Sequence, residues 1–224
     1  VAHDRYRSRV IQLGESPSRV FVVGPLVWSS LSKQEFLTLD QLNSLYGLEK
    51  RAKNVMLTYH PETLGVSNDD GIAQILEAVK QTDIDNLIIT MPNADPGSEQ
   101  IRSRIREFQE TSSLTVSIFE NLGQQAYHSA LKLIADVVLG NSSSGISEAP
   151  FFGIPVINVG DRQKGRIRLP GVRDVDARAD LIAEELNLVF RSPLNESRGI
   201  DCKDACPAGE VARILSSAEL PQSQ

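Results

Sequence analysis

The chain has 224 residues, 41% of them hydrophobic and 23% charged, enough for one sizeable core and typical of a globular protein. Its net charge of -6 excludes a long nucleic-acid footprint, which needs a basic face, although a local basic pocket stays open. No apolar run approaches the roughly 18 residues of a membrane span and the opening VAHDRYRSRV has no apolar leader core, so the expected setting is cytoplasmic, without membrane or nucleic-acid partners.

The sequence begins at Val1 rather than Met, and Arg5 to Gln12 already reads as a helix in progress, so the chain is expected to be a piece of something longer. Arg19 to Val23 is the first of several short apolar runs rich in β-branched residues. The others are Asn54 to Tyr59, Asn86 to Thr90, Leu114 to Phe119, Asp136 to Leu139 and Ile154 to Val159. Each is continuous rather than alternating, the pattern of strands buried on both faces and hence of a parallel sheet. Amphipathic stretches of helical length separate them at Leu39 to Leu48, Asp69 to Gln81, Ser98 to Gln109 and Gln124 to Ile134. This alternation predicts an α/β fold with a Rossmann-like, doubly wound parallel sheet. Two further helices are expected in ARADLIAEELNLVF and AGEVARILSSAEL. Cys202 and Cys206 lie four apart with no second pair to complete a zinc site and read as ordinary thiols.

In such sheets ligands bind beyond the carboxyl ends of the strands, so the residues after each strand carry the information. They are polar and distinctive: YHPET from Tyr59, PNADPGS from Pro92, ENLG from Glu120, NSSSG from Asn141 and GDRQKGR from Gly160. Ser142, Ser143 and Ser144 offer hydroxyl donors beside the unpaired N–H groups of a helix start, an arrangement suited to a phosphate. A plain serine cap with small neighbours would read the same way. Glu148, one turn on, would repel a phosphate unless it faced another part of the ligand; a ribose diol can donate to its two oxygens, although a carboxylate that merely complements a helix start is the simpler alternative. Arg162 is placed to meet phosphates with its planar fork, a charge-assisted contact contributing roughly 1.5 to 3 kcal/mol. Lys164, Arg166 and Arg168 read as a solvated basic rim. His60 is either a donor to a phosphate or sugar oxygen or a satisfied structural group. Asn93 and Asp95 fit an Asx turn as well as a sugar contact.

The segments RVIQLGESPSRVFVVG, HPET, MPNADPGS and LGNSSSGISEAPFFGIPVINVGDRQKGR resemble the C-terminal half of the hydrolysing UDP-N-acetylglucosamine 2-epimerases, over a stretch from about Arg5 to Leu215 and most specifically from Leu139 to Gly165. The resemblance implies one half of a two-domain enzyme of glycosyltransferase-B architecture. Its residues 1–18 would be a helix and linker from the other domain, residues 19–192 a Rossmann-like UDP-binding domain and residues 193–224 a helical tail. Such enzymes eliminate UDP from UDP-N-acetylglucosamine across C1 and C2, then add water to the glycal. They release N-acetylmannosamine for sialic acid synthesis or, from a diacetamido sugar, feed related nonulosonic acids, with no metal or nicotinamide cofactor.

Position by position, the resemblance gives Ser142, Ser143 and, beside them, Ser144 to the diphosphate, Arg162 to the phosphates and Glu148 to the ribose. Leu122 and Gly123 would meet the uracil edge, Gly24 would lie close to the nucleotide, and Asn93 and Asp95 would border the nucleotide or sugar. His60 would sit where phosphate meets sugar, a candidate catalytic group. Tyr127 and His128 would lie where an aromatic could flank the base. The family's proton-moving carboxylates belong to the other half, so the chain alone is expected to bind UDP weakly and turn nothing over. As a full-length protein it would be a dimer or tetramer. The non-hydrolysing epimerases differ by a DSGG-type turn where this chain has NSSSG, sugar-nucleotide glycosyltransferases place their donor-binding acid in another motif, and a nucleotide-sensing module without chemistry is the reading from a different class. The basic face from Arg102 to Arg106 is either a feedback-ligand contact or simply solvated.

Overall fold

A computed structural model describes residues 1–62, 68–191 and 206–217. In chain order its helices are α1 (Asp4–Gln12), α2 (Leu26–Leu31), α3 (Leu39–Tyr46), α4 (Asn68–Lys80), α5 (Ser98–Thr111), α6 (Gly123–Leu133), α7 (Ser143–Ser147), α8 (Ala179–Arg191) and α9 (Pro207–Ser217). The strands are β1 (Asn54–Thr58), β2 (Asn86–Thr90), β3 (Thr115–Phe119), β4 (Val137–Gly140), β5 (Val156–Val159) and β6 (Val172–Val175). The chain divides into two compact units, Val1–Gln34 with Asp201–Gln224, and Glu35–Ile200.

The larger unit carries the expected doubly wound parallel sheet. Its six strands take the order β3-β2-β1-β4-β5-β6, and every neighbouring pair is parallel. Alternate residues of each central strand serve opposite cores. Val55, Leu57, Leu87, Ile89, Val137 and Leu139 face the layer built from α4, α5 and α8, while Met56, Ile88 and Val138 face the layer with Leu42 of α3 and Ala126, Ala130 and Leu131 of α6. Both faces are apolar, which is why the strands read as unbroken hydrophobic runs. At the amino edge, Asp136 accepts from the main-chain and side-chain N–H groups of buried Asn54, whose amide oxygen accepts from Asn86. That network ties the starts of β1, β2 and β4 together and leaves their opposite ends for the site.

The sheet differs from the sequence expectation at one position. Arg19 to Val23 forms no strand; the sixth strand is Val172–Val175 instead. In the first unit the main chain of Phe21 and Val23 pairs with Val1, and the Phe21 and Val22 side chains remain 47% and 39% exposed. A β-branched run becomes a strand only where a sheet edge receives it. Conversely, β6 is a half-exposed edge strand whose central Arg173 and Asp174 hide it from any hydrophobic pattern. The short helix α2 was likewise without a sequence signal. Thr63, Cys202, the start of the expected tail at residues 193–205 and the end of its helix beyond Ser217 lie outside the described residues. Cys206 is an exposed free thiol. Among the described residues no helix is long and apolar enough to cross a membrane.

Candidate functional site

The strand order reverses between β1 and β4, so the chain leaves these neighbouring strands in opposite directions and opens a crevice at their carboxyl ends. β1 runs into Tyr59 and His60 there, and β4 into Asn141 and Ser142. An open cavity of about 340 Å³ occupies the crevice and is walled by residues that follow β1, β2, β3 and β4.

On the β1 side stands His60, only 7% exposed. Its ring Nδ1 accepts a hydrogen bond from the Asn93 N–H at 3.4 Å. Burial, reinforced by the Arg162 charge and partly opposed by Asp95, pushes its pKa down to about 4. The ring is therefore neutral near pH 7, and with Nδ1 accepting, Nε2 carries the hydrogen. Its place is fixed by Asn141, which is wholly buried. The Asn141 side-chain oxygen accepts from the His60 N–H at 2.7 Å, its amide donates to the His60 carbonyl at 2.9 Å, and its own carbonyl accepts from Arg162 at 3.1 Å and Gln163 at 2.8 Å. One residue thus joins the ends of β1, β4 and β5. It also delivers Arg162, otherwise exposed, beside the histidine.

The serine loop forms a single helical turn, α7, capped by Ser142, whose hydroxyl accepts from the Ser144 N–H. With five residues its macrodipole is slight, so the hydroxyls carry most of any anion affinity here. Both glycines of this loop are required by the fold. Gly140 has φ 122°, and a Cβ there would stand 2.1 Å from the Thr58 carbonyl oxygen; a Cβ on Gly145 would meet Val156 at 3.1 Å. Gly140 thus permits the close β1–β4 approach and Gly145 the seating of α7 on the sheet. Ser142 and Ser144 line the cavity with hydroxyls 3.0 Å apart, and Ser144 is bonded in turn to the Tyr127 hydroxyl at 2.7 Å. Glu148, at the end of α7, turns one carboxylate oxygen to His128 Nε2 at 3.0 Å.

At the rim, Arg102 donates to Glu120 and to the Pro92 carbonyl, and Arg106 also reaches Glu120. These bonds hold the Glu120 carboxyl below its ordinary pKa and secure the loop that carries Asn93. The basic face from Arg102 to Arg106 is therefore largely engaged within the fold.

Of the residues expected to form a site, His60, Asn93, Leu122, Gly123, Ser142, Ser144 and Glu148 line the one cavity. Arg162 adjoins it through Asn141. Asp95 and Ser143 are exposed beyond the lining, Asp95 acting on His60 through its charge. Gly24 belongs to the first unit, at φ 85° and against Pro207. Arg168 is not part of a solvated rim: its guanidinium grips both oxygens of Asp174 and the Gln163 carbonyl. Lys164 pairs with Asp161 at the surface. Sequence reasoning missed Thr58, Thr90, Asn121, Gln124 and the organising Asn141. Polar side chains at strand ends are the signal that marks Thr58 and Asn141, which are buried, and Thr90, which is half-buried.

A family model described as UDP-N-acetylglucosamine 2-epimerase matches residues 1–203. A GDP/UDP-N,N'-diacetylbacillosamine 2-epimerase (hydrolyzing) of Campylobacter jejuni is 39% identical over 78% of this chain and 45% of its own length. A UDP-N,N'-diacetylbacillosamine 2-epimerase (hydrolyzing) of Legionella pneumophila is 33% identical over 86% of this chain and 50% of its own. The chain therefore spans about half the length of the curated relatives it matches. Among solved structures, a UDP-GlcNAc 2-epimerase of Neisseria meningitidis bound to UDP-GlcNAc shares the fold, with a TM-score of 0.72 and 16% identity over 95% of this chain and 59% of that one.

Proposed function

The chain belongs to the UDP-N-acetylglucosamine 2-epimerase family, and from that premise we propose that it forms the nucleotide-binding part of a hydrolysing 2-epimerase whose substrate is a UDP-linked diacetamido sugar. The observation that carries this reading is the convergence, on one cavity at the strand-order reversal, of a neutral histidine, two serine hydroxyls and a positioned carboxylate. The diacetamido substrate is favoured over the mono-acetamido one because, of three relatives above 30% identity, two are named for diacetylbacillosamine, while the third, 34% identical over 83% of this chain, is a polysialic acid biosynthesis protein of Escherichia coli. UDP-N-acetylglucosamine is the second reading, favoured by the description of the family model.

In this assignment Ser142, Ser144 and Arg162 hold the diphosphate, Glu148 takes the ribose diol, and the main chain at Leu122 and Gly123 borders the base. Ser143 is assigned to the nucleotide, and Asp95 to the sugar, on family resemblance alone. His60 and Asn93 face the junction of phosphate and sugar. During elimination the C2 proton leaves to a base, the C1–O bond breaks, and its electron pair passes to the departing β-phosphate. Negative charge grows on that phosphate, where the hydroxyls, the Arg162 guanidinium and the His60 Nε2–H are donors already in place. Water then adds to the glycal, its oxygen at C1 and a proton at C2. The groups that move the C2 proton are assigned to the remaining length of the parent protein.

Incubating the intact protein with UDP-N-acetylglucosamine and with UDP- and GDP-N,N'-diacetylbacillosamine, and following products by proton NMR, tests this. Free UDP with a free 2-epimerised diacetamido sugar is expected. N-acetylmannosamine as the main product would move the assignment to the second reading, a nucleotide-linked epimer would overturn hydrolysis, and no turnover of any substrate would overturn the enzymatic reading.

A further inference from the structure

Tyr127 and His128 are neighbours on α6, and each is bonded to a different pole of the cavity. The Tyr127 hydroxyl meets Ser144 at 2.7 Å, and Ser144 continues to Ser142 at 3.0 Å. All three residues line the cavity. They form one continuous chain in which each hydroxyl has a single hydrogen to give, so the direction of one bond depends on the other. Burial raises the Tyr127 pKa to about 12, so the head of the chain keeps its hydrogen across the ordinary pH range. If Ser142 donates outward to an anion, Ser144 donates to Ser142 and Tyr127 to Ser144.

His128 is 2% exposed, and its ring stands edge-on to Tyr127, with centroids 5.9 Å apart, and tilted against Phe152 at 6.2 Å. Held there, Nε2 is 3.0 Å from one oxygen of Glu148. An ionised carboxylate only accepts, so the ring nitrogen donates and uses one lone pair of that oxygen, leaving the rest of the carboxylate for a ligand.

We propose that Tyr127 and His128 together are the positioning element of this site, Tyr127 turning the Ser144 and Ser142 hydroxyls toward a diphosphate and His128 fixing the Glu148 carboxylate toward a ribose diol. The inference rests on the nucleotide reading of the cavity. Neither residue need touch the phosphate or the ribose to act. Both work through the group they hold, and ordering that group before the ligand arrives lowers the cost of binding.

Each half has its own ligand comparison, made by calorimetry on the intact protein. Tyr127→Phe removes one hydroxyl and keeps the ring. It should weaken UDP by about five- to tenfold, the scale of a hydrogen bond or two, while uridine changes by less than about twofold. Ser144→Ala added to Tyr127→Phe should then cost less than Ser144→Ala alone, because the two belong to one chain. His128→Phe should reduce the preference for UDP over 2'-deoxy-UDP by about fivefold, and His128→Gln, which retains an N–H donor, should recover part of it. Glu148→Ala is the control for the site itself. If it leaves the UDP to 2'-deoxy-UDP ratio unchanged, the nucleotide reading has failed. If it abolishes the preference while His128→Phe leaves it intact, or if Tyr127→Phe weakens UDP and uridine equally, the positioning role is overturned and the site stands. Should His128→Phe fail to fold, His128→Gln and Tyr127→Phe decide the matter.

Discussion

His60 is a buried imidazole that stays uncharged at neutral pH, and the reasons are local. Burial is the largest cause, the Arg162 guanidinium adds to it, and Asp95 opposes it, giving a pKa of about 4. Two consequences follow with definite signs. Removing the cation in Arg162→Ala should raise the His60 pKa, read from the pH titration of its ring proton by NMR; an unchanged or lower value would place Arg162 too far away to matter. Because the folded value lies below the ordinary 6.5, the unfolded chain takes up the proton first. The stabilisation is thus fully present above pH 6.5 and is lost as the pH falls toward 4. His60→Asn should flatten that decline, measured as the difference in urea unfolding free energy between pH 7 and pH 4.5. A slope identical to wild type would show that His60 titrates normally. That His60, Ser142, Ser144 and Glu148 would gather at one crevice was legible because strand ends are predictable and all four follow strands. Asn141 was not, because its role lies in bonds to a residue 81 positions away that only β1–β4 pairing brings near.

At the scale of elements, the site depends on how closely β1 and β4 approach. Thr58 is paired with Gly140, whose φ of 122° and missing side chain allow the contact. Gly140→Ala would combine a strained backbone with a Cβ placed against the Thr58 carbonyl, costing about 1 to 3 kcal/mol for the backbone alone. Melting temperature should fall markedly, and the nucleotide site should weaken with it. A variant as stable as wild type would contradict this function for Gly140. The central strands and α3 to α6 were readable from periodicity and length, since continuous apolar runs between amphipathic stretches have few other solutions. The exchange of Arg19 to Val23 for Val172–Val175 was not readable. An apolar run says that a segment can be a strand, whereas a vacant edge decides whether it is one, and at that edge Arg173 and Asp174 are stabilised by pairs with Glu185 and with Arg168 that composition does not reveal.

At the scale of the molecule, burial is unevenly distributed. Both large hydrophobic clusters lie within Glu35–Ile200, while α1 buries no residue and α9 buries only Pro207. Leu13, Leu26 and Leu215 of the first unit are 88%, 55% and 69% exposed. Local opening follows buried contact, so hydrogen exchange should be slowest in β1, β2 and β4 and fastest in α1 and α9. Equal protection throughout would show that the chain unfolds as one cooperative whole. The chain also spans about half the length of its curated relatives, and the proposed nucleotide site is the part of the proposed activity that its own residues would carry.

The nucleotide site is tested most directly by titrating UDP into the intact protein and into Glu148→Ala and Arg162→Ala by calorimetry, with melting temperatures measured alongside. Each substitution is expected to weaken UDP by about tenfold or more, the scale of one charge-assisted hydrogen bond, with the fold intact. Undiminished affinity in both variants would contradict the placement of a nucleotide diphosphate between Glu148 and Arg162.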